Sequence, residues 1–381
     1  LINFKIRTLN MENIWEKLRE KLDRMTKGYP KTETGAELPF LKKLFTEADA
    51  EFFINFKPGL QTVAEVAEHY GMTHDEAEAR LEDMSGKHLM YWERDGIYKK
   101  YRIVPYIHGL WEFNVDKIDA VDAKNMGTLY VNGFAKSFMD YRLPMSRIIP
   151  IRAETVKGGA LLPGDDYVSA IMKQDLIVAT DCACRKVALF AKQRCSCADD
   201  LNVCYMFGQT ADYYLEMNIG NPRIVSKEEL LDRIKQSEKV GNYISVGHTR
   251  NIQALCNCAK CHCGFLMAAK ISLGSSFENW SNYSCVRDEN VCMDCGKCIE
   301  RCPMRNMKAG EDGKTQYDSR KCMGCGLCVT TCPSGALILE RKPDDKLTFA
   351  QDEKFYDLCE RMGAERIAID KARAAVQAEA K

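Results

Sequence analysis

One pattern near the C-terminal end constrains this chain more than any other. It reads Cys292-Met-Asp-Cys295-Gly-Lys-Cys298-Ile-Glu-Arg-Cys302-Pro303, and it returns as Cys322-Met-Gly-Cys325-Gly-Leu-Cys328-Val-Thr-Thr-Cys332-Pro333. Both copies are C-x2-C-x2-C-x3-C-P. Three thiolates at such short intervals sit on one tight loop and take three corners of a cubane, and soft thiolate ligands select iron–sulfur clusters. Gly296, Gly324 and Gly326 let the loop backbone approach the iron and adopt left-handed angles. Cysteines at matching offsets in two copies point to two [4Fe–4S] clusters.

The doubled run resembles that of bacterial two-cluster ferredoxins, over about residues 285–340. In that family the fourth cysteine of each run ligates the other cluster. The resemblance implies one ligand set of Cys292, Cys295, Cys298 and Cys332, and another of Cys302, Cys322, Cys325 and Cys328. It also leads us to expect that Cys302 and Cys332 each start a helix pointing away from the loop, with Pro303 and Pro333 in its first turn.

The rest of the chain must be read around that module. Its 381 residues allow two or three domains, and its net charge of zero gives no global sign of nucleic-acid or membrane binding. There are 19 cysteines, and their C-x-C and C-x2-C grouping suits metal ligation better than disulfides. Neither a signal peptide nor a membrane-spanning apolar run is visible. We expect a reducing cytoplasm, that of an anaerobe, with possible association to a membrane-bound complex.

The expected architecture is α+β and multidomain. Residues 1–35 read as a helix and linker, and residues 36–105 as a winged-helix-like domain of helices followed by a hairpin across Arg94-Asp95-Gly96. Residues 106–284 form a mixed α/β, cysteine-rich middle domain. The ferredoxin-like domain spans 285–342, and a helical tail spans 343–381. Within the middle domain, Val104 to Phe113 reads as a strand and its turn, and His108 as a packed histidine. The helix that would enter a DNA groove carries Asp75, Glu76, Glu78, Glu82 and Asp83 against Arg80. Phosphates would repel it, so docking is favoured over DNA binding.

The middle cysteines fall into two groups. Cys182, Cys184, Cys197 and Cys204 make one candidate ligand set, and Cys256, Cys258, Cys261 and Cys263 another, with sharing between them possible. One or two further iron–sulfur clusters are the favoured reading. Structural zinc and a redox-active or simply buried set of thiols are the alternatives. Cys258-Ala-Lys-Cys261-His262 matches a c-type haem attachment pattern, but it is embedded in a larger cysteine array. No dinucleotide-binding or P-loop pattern is present.

The whole arrangement resembles the multi-cluster iron–sulfur proteins of anaerobic bacteria and archaea. The residues that carry this wider likeness are Asp181-Cys-Ala-Cys-Arg185, Cys197 with Cys204, and Cys256-Asn-Cys-Ala-Lys-Cys-His-Cys263. It implies an electron-transfer subunit of a larger oxidoreductase complex, with redox partner subunits and no catalytic residue of its own. A cluster-containing transcriptional sensor, or an oxidoreductase working at a middle-domain cluster, are the other readings.

Overall fold

The computed structural model describes residues 14–141, 144–192, 200–271, 280–348 and 351–379. The N-terminal helices follow from their caps. Thr46, Thr62 and Thr73 each accept from the backbone three residues on, while Asp49, Glu65 and Glu76 reach back, closing a reciprocal box at the start of Glu47–Asn55, Val63–Tyr70 and His74–Gly86. Gly71, at φ 65°, ends the second of these. A hairpin of β1 (Met90–Asp95) and β2 (Tyr98–Ile103) follows, and Gln61 pairs with Tyr101 on its outer side.

Residues after the hairpin do not form the expected strand. Tyr106–Leu110 and Trp111–Phe113 are short helical turns, broken at His108, whose φ is 57°. A strand would send Tyr106 and Trp111 to opposite faces. The turns instead bury Tyr106, Leu110, Trp111 and Phe113 together.

The middle region is built on one six-stranded sheet in the order β3-β7-β8-β5-β4-β6. The strands are β3 (Ser146–Ile149), β4 (Ile177–Asp181), β5 (Asn202–Phe207), β6 (Arg223–Ile224), β7 (Tyr243–Gly247) and β8 (Ala254–Cys258). Every neighbouring pair is antiparallel. The hairpin packs on the helix Gly208–Glu216: Tyr213 donates to the Met90 carbonyl at 2.6 Å, and Arg94 bridges to Asp212 at 2.8 Å.

One hydrophobic core runs from Leu18 through the hairpin and the sheet to Cys359. The C-terminal helix, Phe355–Glu379, is anchored in it rather than appended to it. Tyr356, Leu358, Cys359 and Met362 are buried, and only its far end, residues 371–378, is fully exposed. Among the described residues, no helix is long and apolar enough to cross a membrane.

The C-terminal module has two small antiparallel pairs. β9 (Tyr283–Arg287) runs beside β12 (Leu337–Arg341), and β10 (Met307–Ala309) beside β11 (Thr315–Tyr317). Its own core gathers Val156, Tyr283, Cys285, Met307, Cys328, Leu337 and Leu339. The module is fastened to the middle region by backbone bonds from Ile151 to the Cys325 carbonyl, 2.9 Å, and from Lys157 to the Leu339 carbonyl, 2.8 Å.

The fourth cysteine of each run does not start a helix. Cys302 ends the short helix Lys297–Arg301 and Cys332 ends the turn Val329–Thr331, with ψ angles of 119° and 111°. The proline that follows each one explains this, because its ring excludes the helical conformation at the preceding residue.

Candidate iron–sulfur sites

In the C-terminal module, Cys302, Cys322, Cys325 and Cys328 line one small cavity of about 20 Å³, together with Cys285. The loop glycines are needed there. A Cβ on Gly324 would lie 2.3 Å from Ser281 Oγ and 2.5 Å from the Tyr283 carbonyl oxygen, and one on Gly326 would lie 2.7 Å from Thr155 Oγ1. Backbone N–H groups of Cys285 and Gly324 donate to Cys322 Sγ at 3.3 and 3.4 Å. The Tyr317 hydroxyl lies beside Cys322 and Ser284. Such donors suit sulfur that carries charge, as cluster ligands do.

The first set is more open. Cys295 is exposed and Cys292 and Cys298 are half-buried, while Cys298 and Cys332 both pack against the module's small core. Arg287 Nη1 lies 3.8 Å from Cys292 Sγ. Burial, with Cys328, Cys292 and Cys295 nearby, pushes the Cys298 thiol up to about 11. Burial likewise pushes Cys302 up to about 11. Thiols held neutral this way would give up their protons on binding a metal, because a metal ligand must be thiolate.

The middle cysteines are arranged differently from the two expected sets. Cys182 lies against Cys184 and Cys204, Cys204 against Cys256, Cys256 against Cys258, Cys258 against Cys263, and Cys263 against Cys184. The six thiols form a closed ring. Cys197 lies outside the described residues, and Cys261 stands outside the ring, its Sγ 3.4 Å from His262 Nδ1.

Topology explains the ring. β4 delivers Cys182 to the N-cap of the helix Ala183–Phe190, which puts Cys184 in its first turn. Cys204 on β5 sits directly opposite Cys256 on β8. Cys258 shares a face with Cys256 because strand side chains repeat every two residues. Cys263 precedes the helix Gly264–Ile271, and its carbonyl accepts from the Met267 N–H. Helix N-termini favour thiolate at Cys182 and Cys263.

The ring is sheltered from solvent, Cys263 fully and the other five cysteines in part. The two neighbouring thiols of each hold Cys182, Cys256 and Cys263 well below the ordinary thiol range and push Cys184, Cys204 and Cys258 well above it. The ring opens on a cavity of about 140 Å³ whose wall also carries His108, Glu112, Tyr130, Tyr214 and Tyr243. Burial pushes the Glu112 carboxyl up to about 7. Arg185 Nε, Asn257 Nδ2 and His262 Nε2 are buried without a partner, and all three residues line this same cavity. Buried polar groups ordinarily find partners, so these three mark where one belongs. An anionic thiolate–sulfide body fits the donor set.

Residues 291–336 match the family model described as the 4Fe-4S dicluster domain. The C-terminal module is a 4Fe–4S dicluster domain. No curated protein and no solved structure matches the chain. The dicluster domain makes this an iron–sulfur protein, and one-electron transfer is the chemistry such clusters supply.

Sequence reasoning named every cysteine of the ring and left sharing between the two groups open. It missed the wall: Glu112, Tyr130 and Tyr243 reach the cavity only through the fold. Arg185 and Asn257 had a local signal, since they sit beside and between the cysteines of Cys182-Ala-Cys184 and Cys256-Asn-Cys258.

Proposed function

We propose that the chain is an electron-transfer subunit in which the dicluster domain exchanges single electrons with a further iron–sulfur centre in the middle region, inside an oxidoreductase complex of an anaerobic cell. The observation that carries this reading is adjacency. Lys270, on the helix that follows Cys263, lies within electrostatic reach of both Cys263 of the ring and Cys302 of the dicluster domain. Arg301, next to Cys302, donates to the Lys239 carbonyl at 2.8 Å, and Lys260 donates to the Glu300 carbonyl at 2.8 Å. The two cysteine regions are thus held together by packing and hydrogen bonds rather than by a linker.

In this reading Cys292, Cys295, Cys298 and Cys332 hold one cubane and Cys302, Cys322, Cys325 and Cys328 the other. The chain's own task is to fix these thiolates, exclude water and donate hydrogen bonds to sulfur, all of which set potentials. Residues 36–105 serve as a winged-helix-like docking module. Asp75, Glu76, Glu78 and Glu82 are exposed, a charge pattern that opposes DNA binding.

Anaerobic reductive titration of the whole protein, followed by EPR, tests the proposal. Each cubane accepts about one electron. Uptake beyond about two electrons per chain, with a paramagnetic centre distinct from the interacting dicluster pair, is the expected result. Uptake that stops at two, with no further centre, would overturn it.

A further inference from the structure

We infer that the six-thiol ring holds one iron–sulfur cluster larger than a cubane, ligated jointly by Cys182, Cys184, Cys204, Cys256, Cys258 and Cys263. This rests on the reading that the middle region binds iron and sulfide, and it adds the size and the ligand set.

Closure of the ring is the first argument. A cubane has four irons and takes one thiolate on each. Here every thiol has two thiol neighbours, so there is no break at which four could be set apart from two. The second argument is rigidity. Cys204, Cys256 and Cys258 are fixed by strand register, and Cys182, Cys184 and Cys263 by helix starts. Gly264 reinforces this, because a Cβ there would lie 2.0 Å from the Tyr130 hydroxyl, and Tyr130 in turn lies against Cys184.

Space is the third argument. The cavity at the ring is about 140 Å³, against about 20 Å³ for the pocket lined by Cys302, Cys322, Cys325 and Cys328. The smaller pocket belongs to a cubane site, so the larger one suits a larger body. Arg185 Nε, Asn257 Nδ2 and His262 Nε2 supply the fourth. These buried, partnerless atoms match a cluster that presents several sulfides to the protein around it.

The test uses the full chain, purified and reconstituted anaerobically with iron and sulfide. Iron and acid-labile sulfide are counted per chain, Mössbauer spectra are recorded, and alanine is placed singly at each ring cysteine and, as a control, at Cys359. Two cubanes account for about eight irons. We expect more than about twelve in the wild type and in Cys359→Ala, and a fall to about eight in each ring variant. The dicluster EPR signal, retained in each variant, shows that the protein has folded. About twelve irons with two ring cysteines dispensable would mean an ordinary cubane; that result sinks the inference and leaves the electron-transfer reading standing. About eight irons in the wild type sinks both.

Discussion

The two cysteine regions encode their sites in opposite ways. In the dicluster domain, each run sets three cysteines at close spacing on one loop, and the spacing itself marks the site. The surrounding core is small, and Cys295 is exposed. In the middle region the ring draws three cysteines from each of two separated stretches, 182–204 and 256–263, and antiparallel register joins the two groups at Cys204 and Cys256. The ring is walled by side chains as distant as Tyr130 and Phe355. A site written in spacing tolerates a changed scaffold. A site written in topology depends on every element that positions it.

Glycine substitutions should separate the two most sharply. In Gly324→Ala the new Cβ meets the Tyr283 carbonyl and Ser281, at a residue whose φ is +64°, a conformation that costs a non-glycine residue about 1 kcal/mol before any clash. In Gly264→Ala it meets the Tyr130 ring. We expect Gly324→Ala to lose the dicluster signal while keeping the middle iron, and Gly264→Ala to do the reverse. Iron content and EPR read both. Loss of both centres in either variant would show that the sites fold as one unit and erase the contrast.

Arg102 probes the scaffold at a distance. Its side chain is fully buried and bridges to Asp357 at 2.7 Å and Glu360 at 2.6 Å, tying the hairpin to the C-terminal helix. That helix carries Phe355 and Tyr356, which line the middle cavity. Breaking a buried ion pair costs about 3–5 kcal/mol. Asp357 is half exposed and can be re-solvated, so Arg102→Met should cost about 3 kcal/mol, read as a shift in anaerobic urea unfolding. Middle iron should be retained less well than the dicluster. Equal loss from both would contradict the scaffold argument.

The same contrast explains what the sequence made legible. The doubled run and the hairpin at Gly96 are local signals, and each can be read without knowing the fold. The ring could not be, because its partition depends on β5 lying beside β8, a pairing that no residue pattern in either strand specifies. Cys182, Cys184 and Cys204 lie near one another in sequence, yet Cys204 faces Cys256 of the other group, which is the sharing that sequence alone could only leave open. Helical turns at Tyr106–Leu110 were missed for a related reason: a run of aromatic residues favours strand locally, and burial on one side overrode that preference. The helices expected after Cys302 and Cys332 failed for a local reason, the following proline.

The least effect we predict lies in the pH dependence of the middle region. Lys27 lines its cavity, and its Nζ donates to the Tyr141 carbonyl at 2.6 Å. Burial, reinforced by Arg366, lowers its ammonium to about 7 from an ordinary 10.5. Below about pH 7 the folded and unfolded chains both hold this proton, so its contribution is constant and the cost of burying the charge is present in full. Between about 7 and 10.5 the unfolded chain binds a proton that the folded chain does not, so this lysine makes stability rise with pH, by at most about 1.4 kcal/mol per unit. Lys27→Met should be more stable than the wild type at neutral pH, and that advantage should shrink as pH rises toward 10. Anaerobic urea midpoints at pH 7, 8 and 9 give the difference directly, and groups common to both proteins cancel in it. A difference independent of pH would mean that Lys27 stays charged in the fold. The wall of the ring would then be wetter at this edge than the burial of its cysteines implies, and closer in character to the open Cys295 end of the dicluster domain.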